Sequence, residues 1–270
     1  MNKKYEFVEG DEKVLPNGVT VKRIRSLVFI AATTFSPAVE AGELGGYIQS
    51  ESNLETIVSG NAWVYGNASV YGNAGVSGNA RVCGKACVYG DARVSGNTCV
   101  SGNVRVSCNA RVYGDACVSG DAWVSGDACV SGNARVSGNA CVSGRSEEHS
   151  DAWVSGNAWV YGNASVSGNA RVCGNARVYG DACVSGNACV SGNAWVYNDG
   201  LVFWVSKVGS ENGTLTVFNT KSNDLLVTRG CFIGTPDEFL TASSKKHDAD
   251  THEEYQLLIK VATSRINKAR

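Results

Sequence analysis

Three prolines, three histidines and one methionine are all that 270 residues contain of those types. No apolar run exceeds Leu27 to Ala32, far short of a bilayer span, and the start Met1-Asn2-Lys3-Lys4-Tyr5-Glu6 has no apolar stretch of a secretion signal. Charge of one sign is also lacking. Lys and Arg number 24 against 25 Asp and Glu, so a globally basic nucleic-acid binder and an acidic DNA mimic are both excluded, while local patches remain open. A soluble, cytoplasmic protein is expected. No CxxC pair occurs, although there are eleven cysteines. Most stand in a slot that elsewhere holds Arg, Trp or Ser, so reduced thiols used as small strand-forming side chains are expected, with Cys99 and Cys117 stacked on neighbouring coils, rather than zinc ligands or a disulfide framework.

What is abundant is glycine, 32 residues, together with Asn, Val, Ala and Ser, and this is the composition of a repeat. From Val58 to Val196 the chain repeats Ala-x-Val-x-Gly-Asn/Asp every six residues, as in Ala62-Trp63-Val64-Tyr65-Gly66-Asn67. The frame makes 24 hexads, and position 148 alone departs from valine in its slot. Ala and Val, two apart, point to one side of an extended segment and the x residues to the other. Gly-Asn and Gly-Asp turn the chain because they tolerate positive φ. Each hexad is thus a short strand plus a corner, too small to bury its own apolar face, and stacking supplies the missing core. A mainly β, parallel solenoid follows, with an N-terminal β cap at 1–57, the solenoid at 58–197 and a small α+β domain at 198–270. In that last domain Leu201 to Val208, Thr214 to Asn219 and Leu225 to Phe232 read as a meander. Helix caps are expected at Thr235, before Pro236 and with Glu238 closing a capping box, and at Thr251.

One hexad, Arg145 to Ser150, places Ser146 in the alanine slot and Glu148 in the valine slot. A lone buried carboxylate is costly, so this corner is expected to bulge outward and expose Glu147, Glu148 and His149. Decay of the repeat at the surface is the plainer account of it, a functional site the other.

Gly42-Glu43-Leu44-Gly45-Gly46-Tyr47 with Glu51-Ser52-Asn53-Leu54, the Gly-Asn-Ala-x-Val array, and Thr228-Arg229-Gly230-Cys231-Phe232-Ile233-Gly234-Thr235 together resemble the YdcK-like hexapeptide-repeat proteins of enterobacterial phages and prophages. The resemblance covers nearly the whole chain. It implies a left-handed parallel β-helix with three hexads per coil, about eight coils, a phage or prophage origin and a homotrimer. It implies no activity that transfers residue by residue.

An 18-residue coil sorts the outward residues onto three faces, and one gathers Arg105, Trp123, Trp159, Tyr161, Arg177, Tyr179 and Trp195, with Tyr71, Tyr89 and Tyr197. Trp, Tyr and Arg in a stack suit a flat anionic ligand, and they equally suit the contact between copies in a homo-oligomer. The expected function is a non-enzymatic binding scaffold that captures a host protein or an anionic, nucleotide-like small molecule, with no cofactor, metal, membrane or nucleic-acid partner. The alternative is a hexapeptide-repeat acyltransferase with His149 as base, flanked by Glu147 and Glu148. Cys231, His247 and His252 offer a further Cys/His combination in the tail, where packing and surface roles are the simpler expectation.

Overall fold

A computed structural model describes residues 3–56, 60–144, 146–148 and 151–270, with backbone only at Glu147. The boundary expected at 57/58 lies outside the described residues, as do Arg145 and His149. The chain divides into two compact units, residues 1–145 and 146–270. It is mainly β. Two-residue strands recur every six residues from Trp63–Val64 to Trp195–Val196, and the two units together contribute about eight solenoid turns.

Within the first unit rungs pair in parallel with those 18 residues on, for example Cys99–Val100 with Cys117–Val118 and Arg105–Val106 with Trp123–Val124. The expected stacking of Cys99 on Cys117 is therefore present, and both thiols are free. The residues in the alanine and valine slots are buried, as at Ala122 and Val124, while Trp123 between them is 44% exposed. Backbone donors and acceptors are satisfied along the axis, as in Trp123 N–H to Ala140 O at 2.9 Å.

The corners add a ladder of their own. Asn61 donates its amide to Asn79, Asn79 to Asn97, and Asn97 to the carboxylate of Asp115, at 2.7 to 3.1 Å. Asn103 and Asn109 donate likewise to Asp121 and Asp127. An Asn both accepts from one coil and donates to the next, whereas an ionised Asp only accepts. Asp in a corner is therefore more than a substitute for Asn: it ends a chain of amide bonds.

Cys108 occupies a corner slot that glycine fills elsewhere, and it holds φ at 59°. A side chain in this left-handed region costs about 1–2 kcal/mol, partly offset by the greater freedom glycine has when unfolded. Cys108→Gly is therefore expected to stabilise the protein by roughly 0.5–1 kcal/mol in urea denaturation, and an unchanged or lowered midpoint would contradict this reading of the corner.

The N-terminal cap is an antiparallel sheet of β1 (Tyr5–Val14), β2 (Thr20–Ser26) and β3 (Leu44–Ile48). β3 also pairs in parallel with Ser69–Val70, so the ladder of the solenoid reaches back to Tyr47. Gly45 and Gly46 permit this close approach. A Cβ on either would lie 2.6 Å from a side-chain carbon, of Ile24 and Val64 respectively. Tyr5 packs edge-on to the fully buried Trp63 at 6.3 Å and covers the first coil.

Beside it Lys4 is 1% exposed and donates to the Gly60 carbonyl at 3.1 Å. Burial pushes its ammonium down to about 8, against the opposing pull of Glu55. The unfolded chain holds that proton to about 10.4, so the group destabilises the fold fully below pH 8, and the penalty fades as pH rises from 8 towards 10.5. The stability of the wild type minus that of Lys4→Met is expected to rise by on the order of 2 kcal/mol between pH 7 and pH 10. A difference that stays flat with pH would contradict a buried, protonated Lys4.

The second unit repeats the same rungs, as in Trp159–Val160 with Arg177–Val178 and Arg177–Val178 with Trp195–Val196. Here the irregular hexad departs from expectation. Glu147–Glu148 is a rung in register with Ser165–Val166, and Ser146 and Glu148 are both fully buried. The outward bulge is absent at Ser146 to Glu148 because the parallel ladder fixes the backbone and carries the Glu148 side chain into the valine slot; His149 lies outside the described residues.

After the last rung, β4 (Val202–Val208), β5 (Gly213–Asn219), β6 (Leu225–Arg229) and β7 (Phe232–Gly234) form an antiparallel meander. Helix α1 (Pro236–Lys246) starts with the capping box expected from Thr235 and Glu238. Helix α2 (Ala249–Ala269) starts earlier than expected: Asp248 is its cap and accepts from Thr251 N–H at 2.8 Å. Asp and Thr both cap helices, and here the earlier residue takes the role.

Candidate functional site

The aromatic face expected from the 18-residue period is present within each unit. In the first, Arg105 lies over Trp123 at 5.3 Å, and Tyr71 and Tyr89 stack at 5.1 Å with planes 3° apart. In the second, Trp159, Arg177 and Trp195 occupy paired rungs of successive coils, with the Arg177 guanidinium 5.3 Å from one indole and 5.8 Å from the other. Tyr161 and Tyr179 stack beside them at 5.0 Å, and Tyr197 follows at 5.8 Å. Burial raises the Tyr179 phenol above its ordinary value, and Tyr161 adds to the shift, so the ring stays protonated and neutral. Of the seven residues expected to bind a ligand, Arg105 and Trp123 belong to the first unit and the other five to the second.

The sequence reading missed Lys221. It sits in the turn between β5 and β6, and its ammonium lies 5.5 Å from the Trp195 ring. That turn is docked on the last coil by an Ala194–Thr220 bridge and by Asn219, whose amide donates to the carbonyls of Trp195 at 3.3 Å and Thr220 at 2.9 Å. The Asn219 carbonyl oxygen in turn accepts from Arg270 at 2.9 Å. Nothing local in Thr220-Lys221-Ser222 announces a site, because the docking partner lies about 25 residues earlier in the chain.

Arg177, Trp195, Lys221, Asn175, Asn193 and Thr220 line a cleft of about 580 Å³. The Arg177 guanidinium and the Lys221 ammonium both lie against one half-buried indole, 5.8 and 5.5 Å from its centre. Side-chain amides and hydroxyls complete the wall. Such a set favours an anion through charge-assisted hydrogen bonds, the guanidinium in a forked geometry and the ammonium as a point charge. The Trp195 ring is already flanked by cations, whereas Trp159, 47% exposed, still presents indole surface to solvent.

The tail histidines separate. Cys231 and His247 line one cavity of about 370 Å³ with Arg229 and Tyr255, and His247 contacts Ser210 at 3.2 Å. His252 turns instead to Ser243 at 3.2 Å and Gln256 at 3.0 Å. Among the described residues no group of three or more His, Cys, Asp and Glu side chains is placed to hold a metal ion. The Glu147 side chain and His149, on which an acyltransferase would depend, lie outside the described residues, and Glu148 is buried.

Residues 110–126, 128–144 and 170–186 match the YdcK beta solenoid repeat, so these stretches of the array are similar to that repeat. No curated protein matches the chain.

Proposed function

We propose that the protein acts by binding, without catalysis, and that its ligand is an anionic small molecule held in the Arg177–Trp195–Lys221 cleft of the second unit. The observation that carries this is the pair of cations fixed against a single indole in a cleft of about 580 Å³. A nucleotide-like molecule meets the requirement, with phosphate on Arg177 and Lys221 and a base against the exposed indole of Trp159. A rigid solenoid rung loses little entropy when its side chains engage a ligand. Sequestration of such a molecule by a phage- or prophage-encoded protein, assembled as a homotrimer through exposed solenoid faces, completes the proposal.

Calorimetric titration with AMP and with pyrophosphate is the test. Arg177→Ala and Lys221→Ala are each expected to weaken binding about 10- to 100-fold, the range for one lost charge-assisted contact. Affinities equal to wild type in both variants would exclude the cleft.

A further inference from the structure

The anion cleft does not end at Lys221. Asn193, Thr220 and Ser222 line it and also line a second cavity of about 890 Å³, so the two form one trough within the second unit. The character of the wall changes along it. The far part is lined by Leu225, Leu226, Pro236, Leu240 and Ile259, from β6, α1 and α2, with hydroxyls of Thr235 and Thr263 among its polar lining. Among the described residues no aromatic side chain lines the far part, so it offers a base nothing to stack on, while its branched aliphatic surface suits a flexible hydrocarbon.

Asp224 and Asp237 also line the far part, and Lys260 lies with them. The Asp224 carboxylate accepts from the Ser222 hydroxyl and belongs to the turn that carries Lys221. Among the described residues no carboxylate lines the Arg177–Lys221 cleft, whereas two line the far part beside Lys260, and this difference sets the polarity of an occupant: anion at the last coil, uncharged part between the meander and the helices.

Resting on the anion reading above, we infer that the ligand is an amphiphile, a phosphate or similar anion joined to an aliphatic chain, whose head sits on Arg177 and Lys221 and whose chain lies along Leu226, Leu240 and Ile259. A chain in this trough removes apolar surface from water on both partners, and affinity then grows with each methylene until the trough is filled.

The test is a calorimetric series of ethyl, butyl, hexyl and octyl phosphate below their micellar concentrations, with AMP as comparison, on the full chain. Octyl phosphate is expected to bind at least 30-fold more tightly than ethyl phosphate and more tightly than AMP. Arg177→Ala should weaken the whole series by one common factor. Thr263→Phe, which narrows the aliphatic part, should flatten the dependence on chain length and leave ethyl phosphate unchanged. A flat series in the wild type, with ethyl phosphate or AMP still bound, overturns the chain assignment and leaves the anion cleft standing. Should that flat series come with a doubled native mass, the far trough belongs to a second copy of the chain. Failure of every phosphate to bind overturns the cleft itself, and the inference with it.

Discussion

Gly102→Ala is expected to destabilise the protein by about 3 kcal/mol or more, through two separable effects. Gly102 holds φ at 84°, where a side chain costs about 1–2 kcal/mol. Its added Cβ would also lie 2.6 Å from the Gly120 oxygen and 3.1 Å from the Gly120 nitrogen of the next coil. Both are backbone atoms in the ladder, so relief requires prising two coils apart. Gly10 supplies the control, since it holds φ at 76° with nothing within 4 Å of a Cβ. Gly10→Ala should show the conformational cost alone, about 1–2 kcal/mol. Equal losses in the two variants, measured by urea denaturation, would show that the corners are not in close contact.

Val124→Asp should cost about 4 kcal/mol or more, because it places a carboxylate in a fully buried slot between stacked valines. The neighbouring Trp123→Asp, on the exposed side of the same rung, should change stability by about 1 kcal/mol or less. This contrast between adjacent residues tests the inside-outside alternation directly. A Val124→Asp variant as stable as Trp123→Asp would reject the assignment of the core.

The solenoid was legible in the sequence because its signal is local and repeated. Ala, Val and Gly recur at fixed offsets, and each offset has one geometric meaning, so the rungs followed from counting, while their 18-residue pairing, and with it the aromatic face, came from the resemblance to hexapeptide-repeat proteins. The thiol slots were legible for the same reason. Where a single residue departed from the frame, the reading failed. Glu148 was expected outside on its solvation cost, yet the rung pairs with Ser165–Val166 and takes the carboxylate inward. A backbone ladder is a sum of many bonds, and it outweighs the preference of one side chain.

The candidate site was half legible. Arg177 and Trp195 could be placed on one face from their positions in the repeat. Lys221 could not, since its place over Trp195 depends on a turn of the meander docking on the last coil. The aliphatic end of the trough was beyond reach for the same reason, being assembled from β6, α1 and α2. Arg229 of the C-terminal motif, read only as a resemblance, has a physical role: it donates to Tyr255 and Val208 across the small domain, and a Cβ at Gly213 would strike its guanidinium.

Native mass spectrometry of the protein purified from cells without denaturation, before and after loading with phosphate compounds, tests the anion cleft most directly. Wild-type protein is expected to carry an adduct with the mass of a phosphate-bearing compound, released by adding excess pyrophosphate, on an assembly whose mass is that of a homotrimer. The Arg177→Ala, Lys221→Ala double variant should form the same assembly without the adduct. An identical adduct on the double variant, or bare wild-type protein even after loading, would contradict binding at Arg177, Trp195 and Lys221.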